Sequence, residues 1–447
     1  MTHSYPRAVV ADSQGHIFDH PTLAMLGWDG EVWRRPLPEE LIALPKGSDM
    51  FVLPGRIPYA VDVASDEPVE VEGDAHTGIL QAVSAFVAPA YARLLHPAYD
   101  SREGAPDLPL YAYSAVGWHN GRFVVPALRV DADRRQDPYR FDIALVEQGV
   151  REIRGAHPHN GALKHIAHCA LVYHCRAAQN FYLGRWEAPM PAASQCNAAC
   201  VGCISDQPDT GFEANHERIK VPAVADDLIE LACMHLARVP NGVVSFGQGC
   251  EGEPLMQPKV LEDTVLGIRQ RTAAGVINLN SNASLPRIVA RLADAGLDSL
   301  RISLNSARPD VYRAYYKPKG YDFHHVVQSC VEMKSRGKYV SLNYFIFPGV
   351  SDSPAEIDAV SELIAKGVDL VQLRNLNIDP ELYLRVLPDG AVDGPIGVLA
   401  LVAELRRRFP KLRFGYFNPA KTKFGKAGPT PMPKHAAAAL ANRATHQ

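Results

Sequence analysis

The chain has 447 residues, 47% hydrophobic and 21% charged, the balance of a globular protein with a large core and about three domains. Forty-six basic against 49 acidic residues leave a formal net charge of −3, so no global field favours nucleic acid or an anionic membrane. No run approaches the ~18 apolar residues of a membrane span, residues 1–7 lack a signal-peptide layout, and eight cysteines make no disulfide framework at this length. The expected location is the cytoplasm, where thiols stay reduced.

Residues 1–155 show no strand–helix alternation. Apolar and aromatic runs such as Met50-Phe51-Val52-Leu53, Leu110-Tyr111-Ala112-Tyr113 and Phe123-Val124-Val125 are broken by Pro and Gly, which predicts a mixed, mostly β accessory domain. No motif marks it; the roles expected of it are substrate recognition or capping of the domain that follows. Residues 156–179 read as a helical connector, with Leu163, Ile166, Ala170 and Leu171 at helical spacing. His165 and Cys169 share a helical face there, close to His168, His174 and Cys175. A second metal site or a catalytic thiol is one reading of this group. Buried cysteines and hydrogen-bonded histidines packing against the next domain is the reading adopted.

Phe181-Tyr182-Leu183 is expected as a first strand. After it, Cys196, Cys200 and Cys203 stand in a Cys-x3-Cys-x2-Cys spacing on a loop without hydrophobic period. Three thiolates so close can meet at one metal centre, and soft thiolates select iron–sulfur clusters, zinc or cuprous copper. A closed structural site wants four ligands, and the next ten residues hold no further Cys or His. The loop therefore reads as a three-ligand site with one open position, as catalytic metals use. A zinc knuckle with a distant fourth ligand is the competing reading.

Strands are then predicted at 242–246, 276–280, 299–304, 339–345, 370–373 and 412–416. Helices are predicted at 258–273, 285–296, 323–336, 354–366 and 394–408. This alternation makes some six βα units and a parallel sheet, an open or partial barrel whose function collects on loops after the strand ends. Those loops carry Gly247-Gln248-Gly249-Cys250-Glu251-Gly252-Glu253-Pro254, Ser281-Asn282-Ala283, Ser303-Leu304-Asn305-Ser306 and Arg374-Asn375-Leu376-Asn377, with Asn343 on the fifth of the seven expected strands. Glycines let backbone approach a ligand closely. Cys233 and Cys330 read as core, whereas Cys250 sits in the glycine-rich turn and is a candidate for a direct role. Residues 419–447, with five Lys/Arg and no acid, read as a basic, disordered, solubilising tail.

The cysteine motif and the chain after it, over residues 180–418, resemble the radical S-adenosylmethionine (SAM) superfamily. The resemblance implies a partial (β/α)6-type parallel barrel and a [4Fe-4S] cluster on Cys196, Cys200 and Cys203. The open iron would bind the amino and carboxylate groups of SAM. Gly252-Glu253-Pro254 match part of the family's Gly-Gly-Glu-Pro stretch, which receives the methionyl amino group, with Glu251 in place of the first glycine. Ser281 and Asn282 resemble its Thr-Asn-Gly turn, Ser303 and Asn305 fall where relatives bind the SAM ribose, and Asn343 on the fifth strand is a further cofactor-binding candidate. The implied activity is reductive cleavage of SAM and abstraction of hydrogen from a substrate, with an electron donor such as a flavodoxin or ferredoxin. The substrate is left open among small molecule, peptide and RNA, with no membrane partner. The alternative is a non-enzymatic zinc or iron–sulfur module for binding or electron transfer.

Overall fold

The computed structural model describes residues 5–74, 76–207 and 211–426. Fourteen strands lie between Arg7 and Arg129, eleven of them in one sheet, and the strand pairs there are antiparallel. The Arg56–Asp62 strand largely alternates buried and half-buried residues, the pattern of a strand with one face on a core. The N-terminal part is mostly β, as its broken apolar runs predict.

Three helices follow: α1 (Ile143–Ala156), α2 (Gly161–Leu171) and α3 (Arg176–Tyr182). The Asp142 and Asn160 side chains cap α1 and α2, accepting from Ala144 N at 2.9 Å and Leu163 N at 2.8 Å. Helix thus begins well before the connector expected at 156–179 and runs past it. Phe181-Tyr182-Leu183 is not a strand. Phe181 and Tyr182 close α3, buried because they face α2, where the Tyr182 hydroxyl donates to Leu163 O at 2.8 Å. A short apolar run looks the same whether it is buried as strand or as helix.

The true first strand is β1 (Glu187–Pro189). It opens a seven-stranded parallel sheet with β2 (Val243–Phe246), β3 (Val276–Ser281), β4 (Ser299–Leu304), β5 (Tyr339–Ile346), β6 (Leu370–Asn375) and β7 (Arg413–Gly415), paired in chain order. Seven strands are present, as many as expected, with the first at Glu187–Pro189 rather than at 181–183. Between them run α4 (Ala225–Arg238), α5 (Pro258–Arg271), α6 (Pro286–Ala295), α7 (Pro309–Tyr316), α8 (Phe323–Ser335), α9 (Pro354–Ile364), α10 (Pro380–Val386) and α11 (Val398–Arg408). Five of these eight start on proline at the first helical position, where a missing N–H costs nothing.

The two faces of the sheet differ. Leu300, Ile302 and Leu304 pack into the main core. The opposite face of the same sheet carries a polar layer: Ser299 Oγ donates to Asn278 Oδ1 at 2.7 Å, Asn278 Nδ2 to Ser245 Oγ at 3.2 Å, and Ser245 Oγ to Glu187 at 2.6 Å. That layer floors the space inside the sheet.

The N-terminal part docks on the loops that leave β5 and β6. Arg93 N donates to Asn375 Oδ1 and its guanidinium to Leu376 O, both at 2.8 Å. Arg56 pairs with Asp379 at 2.9 Å, the two side chains 1% and 0% exposed. Gly30 lies so close to Gly349 that a Cβ on it would stand 2.3 Å from the Gly349 Cα. The tail expected from residue 419 is structured at its start: Lys421–Lys423 form a 3-10 turn and the Phe424 ring stacks on Tyr339 at 4.3 Å. The rest of that tail, 427–447, lies outside the described residues. Among the described residues no helix is long and apolar enough to cross a membrane.

Candidate metal and cofactor site

A cavity of about 470 Å³ opens where the loops after β1 to β6 meet the N-terminal part. Cys196, Cys200 and Cys203 line it, as do Gly252, Glu253, Ser281, Asn282, Ser303 and Asn343. Nine of the ten residues singled out in the sequence therefore share one space. Asn305 is the exception. Its side chain is buried at the head of α7, where Nδ2 donates to Val311 O at 3.3 Å and to the Tyr383 hydroxyl at 3.1 Å. The turn after β4 bends it away from the face that Ser303 presents.

The cysteine loop has no secondary structure of its own and is held by its neighbours. Ala199 N and Val201 N donate to Tyr316 O and Tyr315 O, both at 3.0 Å. Asn197 bridges to the turn after β3, accepting from Asn282 Nδ2 at 2.8 Å and donating to Ser284 Oγ at 2.9 Å. Burial pushes the Cys200 thiol well up, helped by its two sister cysteines, and burial with nearby Glu253 pushes Cys196 up to about 11. Protonated thiols are poor ligands, so only a bound cationic centre would hold this loop as thiolates. A single tetrahedral zinc needs sulfurs about 3.8 Å apart, given Zn–S near 2.3 Å. Among the described residues, the three-ligand group whose atoms all lie within 4.8 Å of one another is a different one, His165, Cys169 and Cys250. Three thiols on one cavity suit a cluster in which each thiolate takes its own iron and one iron stays open.

The glycine-rich loop after β2 is built around two buried carboxylates. Glu251, which breaks the family's double glycine, accepts from four backbone N–H groups: Ala192 at 2.7 Å, Ala193 at 3.0 Å, Gly247 at 2.6 Å and Gln248 at 3.2 Å. It lashes both ends of its loop to the segment leading into the cysteines. Glu253 accepts from Ser281 Oγ at 2.6 Å, Asn282 N at 2.8 Å and Leu255 N at 3.1 Å, joining the loop to the turn after β3. Burial raises each carboxyl to about 7 against the pull of these donors. Gly252 admits no side chain, since a Cβ there would lie 2.1 Å from Gln195 O.

Two arginines that sequence reading did not single out as ligand-binding also line the cavity. Arg301 on β4 and Arg374 on β6 each bury an Nε without a hydrogen-bond partner. Arg374 donates to Tyr416 O at 2.7 Å and lies 4.0 Å over the Tyr416 ring. Burial, with the repulsion of Arg374, draws Arg301 down to about 9. Asn343 adds a third unpartnered buried atom, its Oδ1. Strand parity could have revealed Arg301, which is two residues from Ser303 and so shares its face. The far wall comes from the N-terminal part, through Phe86, Val87, Ala88, Pro89, Tyr91 and Ala112.

Residues 190–359 match the model of the radical SAM superfamily. Similar solved structures include Streptococcus suis SuiB bound to S-adenosylmethionine, at 15% identity over 52% of this chain and 50% of that one, TM-score 0.36. A radical SAM methyltransferase from Sphaerobacter thermophilus matches at 17% identity over 54% of this chain and 69% of that one, TM-score 0.34. Methylornithine synthase matches at 13% identity over 63% and 77%, TM-score 0.36. The chain thus matches half the length of SuiB. No curated protein matches it in sequence.

Proposed function

We propose, from the match of residues 190–359 to the radical SAM superfamily model, that the chain is an enzyme that cleaves SAM reductively and takes hydrogen from a substrate held under its N-terminal domain. The cofactors of the family are a [4Fe-4S] cluster and SAM. Bound together they supply a one-electron reduction that yields methionine and a 5′-deoxyadenosyl radical able to abstract hydrogen. The observation that carries this reading is convergence: the three thiols, the 247–253 loop, Ser281, Asn282, Ser303 and Asn343 all face one cavity.

The residues divide the work. Cys196, Cys200 and Cys203 would hold the cluster. Backbone groups of the 247–252 loop, kept in place by Glu251 and Glu253, would take the methionyl amino end of SAM. Ser281, Asn282, Ser303 and the free Oδ1 of Asn343 offer partners for its other polar groups. Arg301 and Arg374 would receive an anionic group, the SAM carboxylate or a carboxylate or phosphate of the substrate. The wall at Phe86–Pro89 and Tyr91 shields the radical from water and orients the target C–H bond, which makes the N-terminal domain the substrate-recognition part. A flavodoxin or ferredoxin would deliver the electron. No residue is assigned a catalytic role beyond cofactor binding.

The reading is tested by anaerobic iron and sulfide loading followed by electron paramagnetic resonance of the reduced protein. A [4Fe-4S] signal that changes shape on adding SAM, and is missing in Cys196→Ala, is expected. A signal indifferent to SAM would favour the electron-transfer module instead.

A further inference from the structure

We propose that His165, Cys169 and Cys250 form a second, structural zinc site, which fastens helix α2 to the rear of the glycine-rich loop. The three ligand atoms lie within 4.8 Å of one another. His165 Nε2 and Cys169 Sγ stand 3.6 Å apart. That is about the edge of a tetrahedron built from Zn–S near 2.3 Å and Zn–N near 2.0–2.1 Å. Two thiols and an imidazole are a borderline-soft set that suits zinc and does not suit magnesium or calcium.

The group is assembled from two places. His165 and Cys169 lie one helical turn apart on α2, and Cys250 comes from the loop after β2. His216 is the candidate for the fourth position. Its Nδ1 is buried without a hydrogen-bond partner and would lie 3.8 Å from a Cβ on Gly249, the residue beside Cys250.

A catalytic thiol fits the surroundings less well. Cys169 and Cys250 are 1% and 3% exposed, and the cavity is walled by Gly249 and Glu251 on either side of Cys250 rather than by Cys250 itself. A group with no route to substrate is better suited to holding structure. Zinc here would fix the loop proposed to take SAM, from the side turned away from the cavity. The site shares no ligand with Cys196, Cys200 and Cys203, so it stands or falls independently of the cluster.

The test uses the full chain with Cys196, Cys200 and Cys203 all replaced by Ala, which removes the competing thiols. Metal analysis after purification should find one zinc per chain in this background, lost on adding Cys169→Ser or Cys250→Ser. Where a serine variant does not fold, cobalt titration of the background decides. Stoichiometric uptake with thiolate-to-cobalt charge transfer and the intense visible bands of tetrahedral cobalt supports the site. A folded background that takes up neither zinc nor cobalt would overturn the proposal. So would zinc retained in both serine variants, or a Cys169–Cys250 disulfide found by mass spectrometry.

Discussion

A Cβ added at Gly252 would lie 2.1 Å from a backbone oxygen that cannot move aside without displacing the cysteine loop. Gly252→Ala should therefore fold yet weaken SAM binding at least about tenfold, a loss of some 1.4 kcal/mol read by calorimetric titration; unchanged affinity would remove the loop from the cofactor site. A different single residue governs a pH dependence. Glu356 is buried, accepts from Ala307 N at 2.8 Å and the Tyr344 hydroxyl at 3.0 Å, and burial raises it to about 7 from 4.5. Its folded pKa is the higher one, so the folded state holds a proton that the unfolded chain releases. The stability this contributes is full below 4.5 and is lost as pH rises through 7. Glu356→Gln should flatten the fall of unfolding free energy over that window, measured by urea denaturation; an unchanged slope would contradict the assignment. At this scale the cysteines were legible because three like ligands in eight positions have few other uses. Asn305 was misplaced because a strand-end position does not tell which way the turn sends the side chain. Arg301 was overlooked because a charged residue inside a strand reads as solvent-facing unless the interior of the sheet is polar.

The strands β2 to β6 were readable as short β-branched or apolar runs closed by turn residues. The helices α7 and α10 were not, being too short, at eight and seven residues, to show a period. The same limit turned the end of α3 into a supposed strand. Helix α2 offers the element-scale test. Asn160 caps it through Leu163 N and also donates to Glu230 Oε2 at 2.8 Å and Asp227 O at 2.9 Å, tying α2 to α4. Asn160→Ala should cost about 1–2 kcal/mol of unfolding free energy. A change of only a few tenths would mean that the helix is positioned without its cap.

Docking of the two parts rests on residues remote in sequence, and no local pattern announces it. The Arg56–Asp379 pair is fully buried, and Asp379 also accepts from Leu108 N at 2.7 Å and caps α10 through Glu381 N at 2.9 Å. Removing one partner strands a buried charge, so Arg56→Ala should destabilise the protein by about 3–5 kcal/mol and expose the junction to limited proteolysis. A wild-type cleavage pattern and melting temperature would show that the junction is held elsewhere. The central claim joins this whole assembly to one reaction. The most direct test is 5′-deoxyadenosine released from SAM by anaerobically reconstituted protein with a strong reductant, wild type beside Cys200→Ala. Release by the wild type and none by Cys200→Ala is the predicted result. Zinc in place of iron at Cys196, Cys200 and Cys203, with no SAM cleavage, would contradict it.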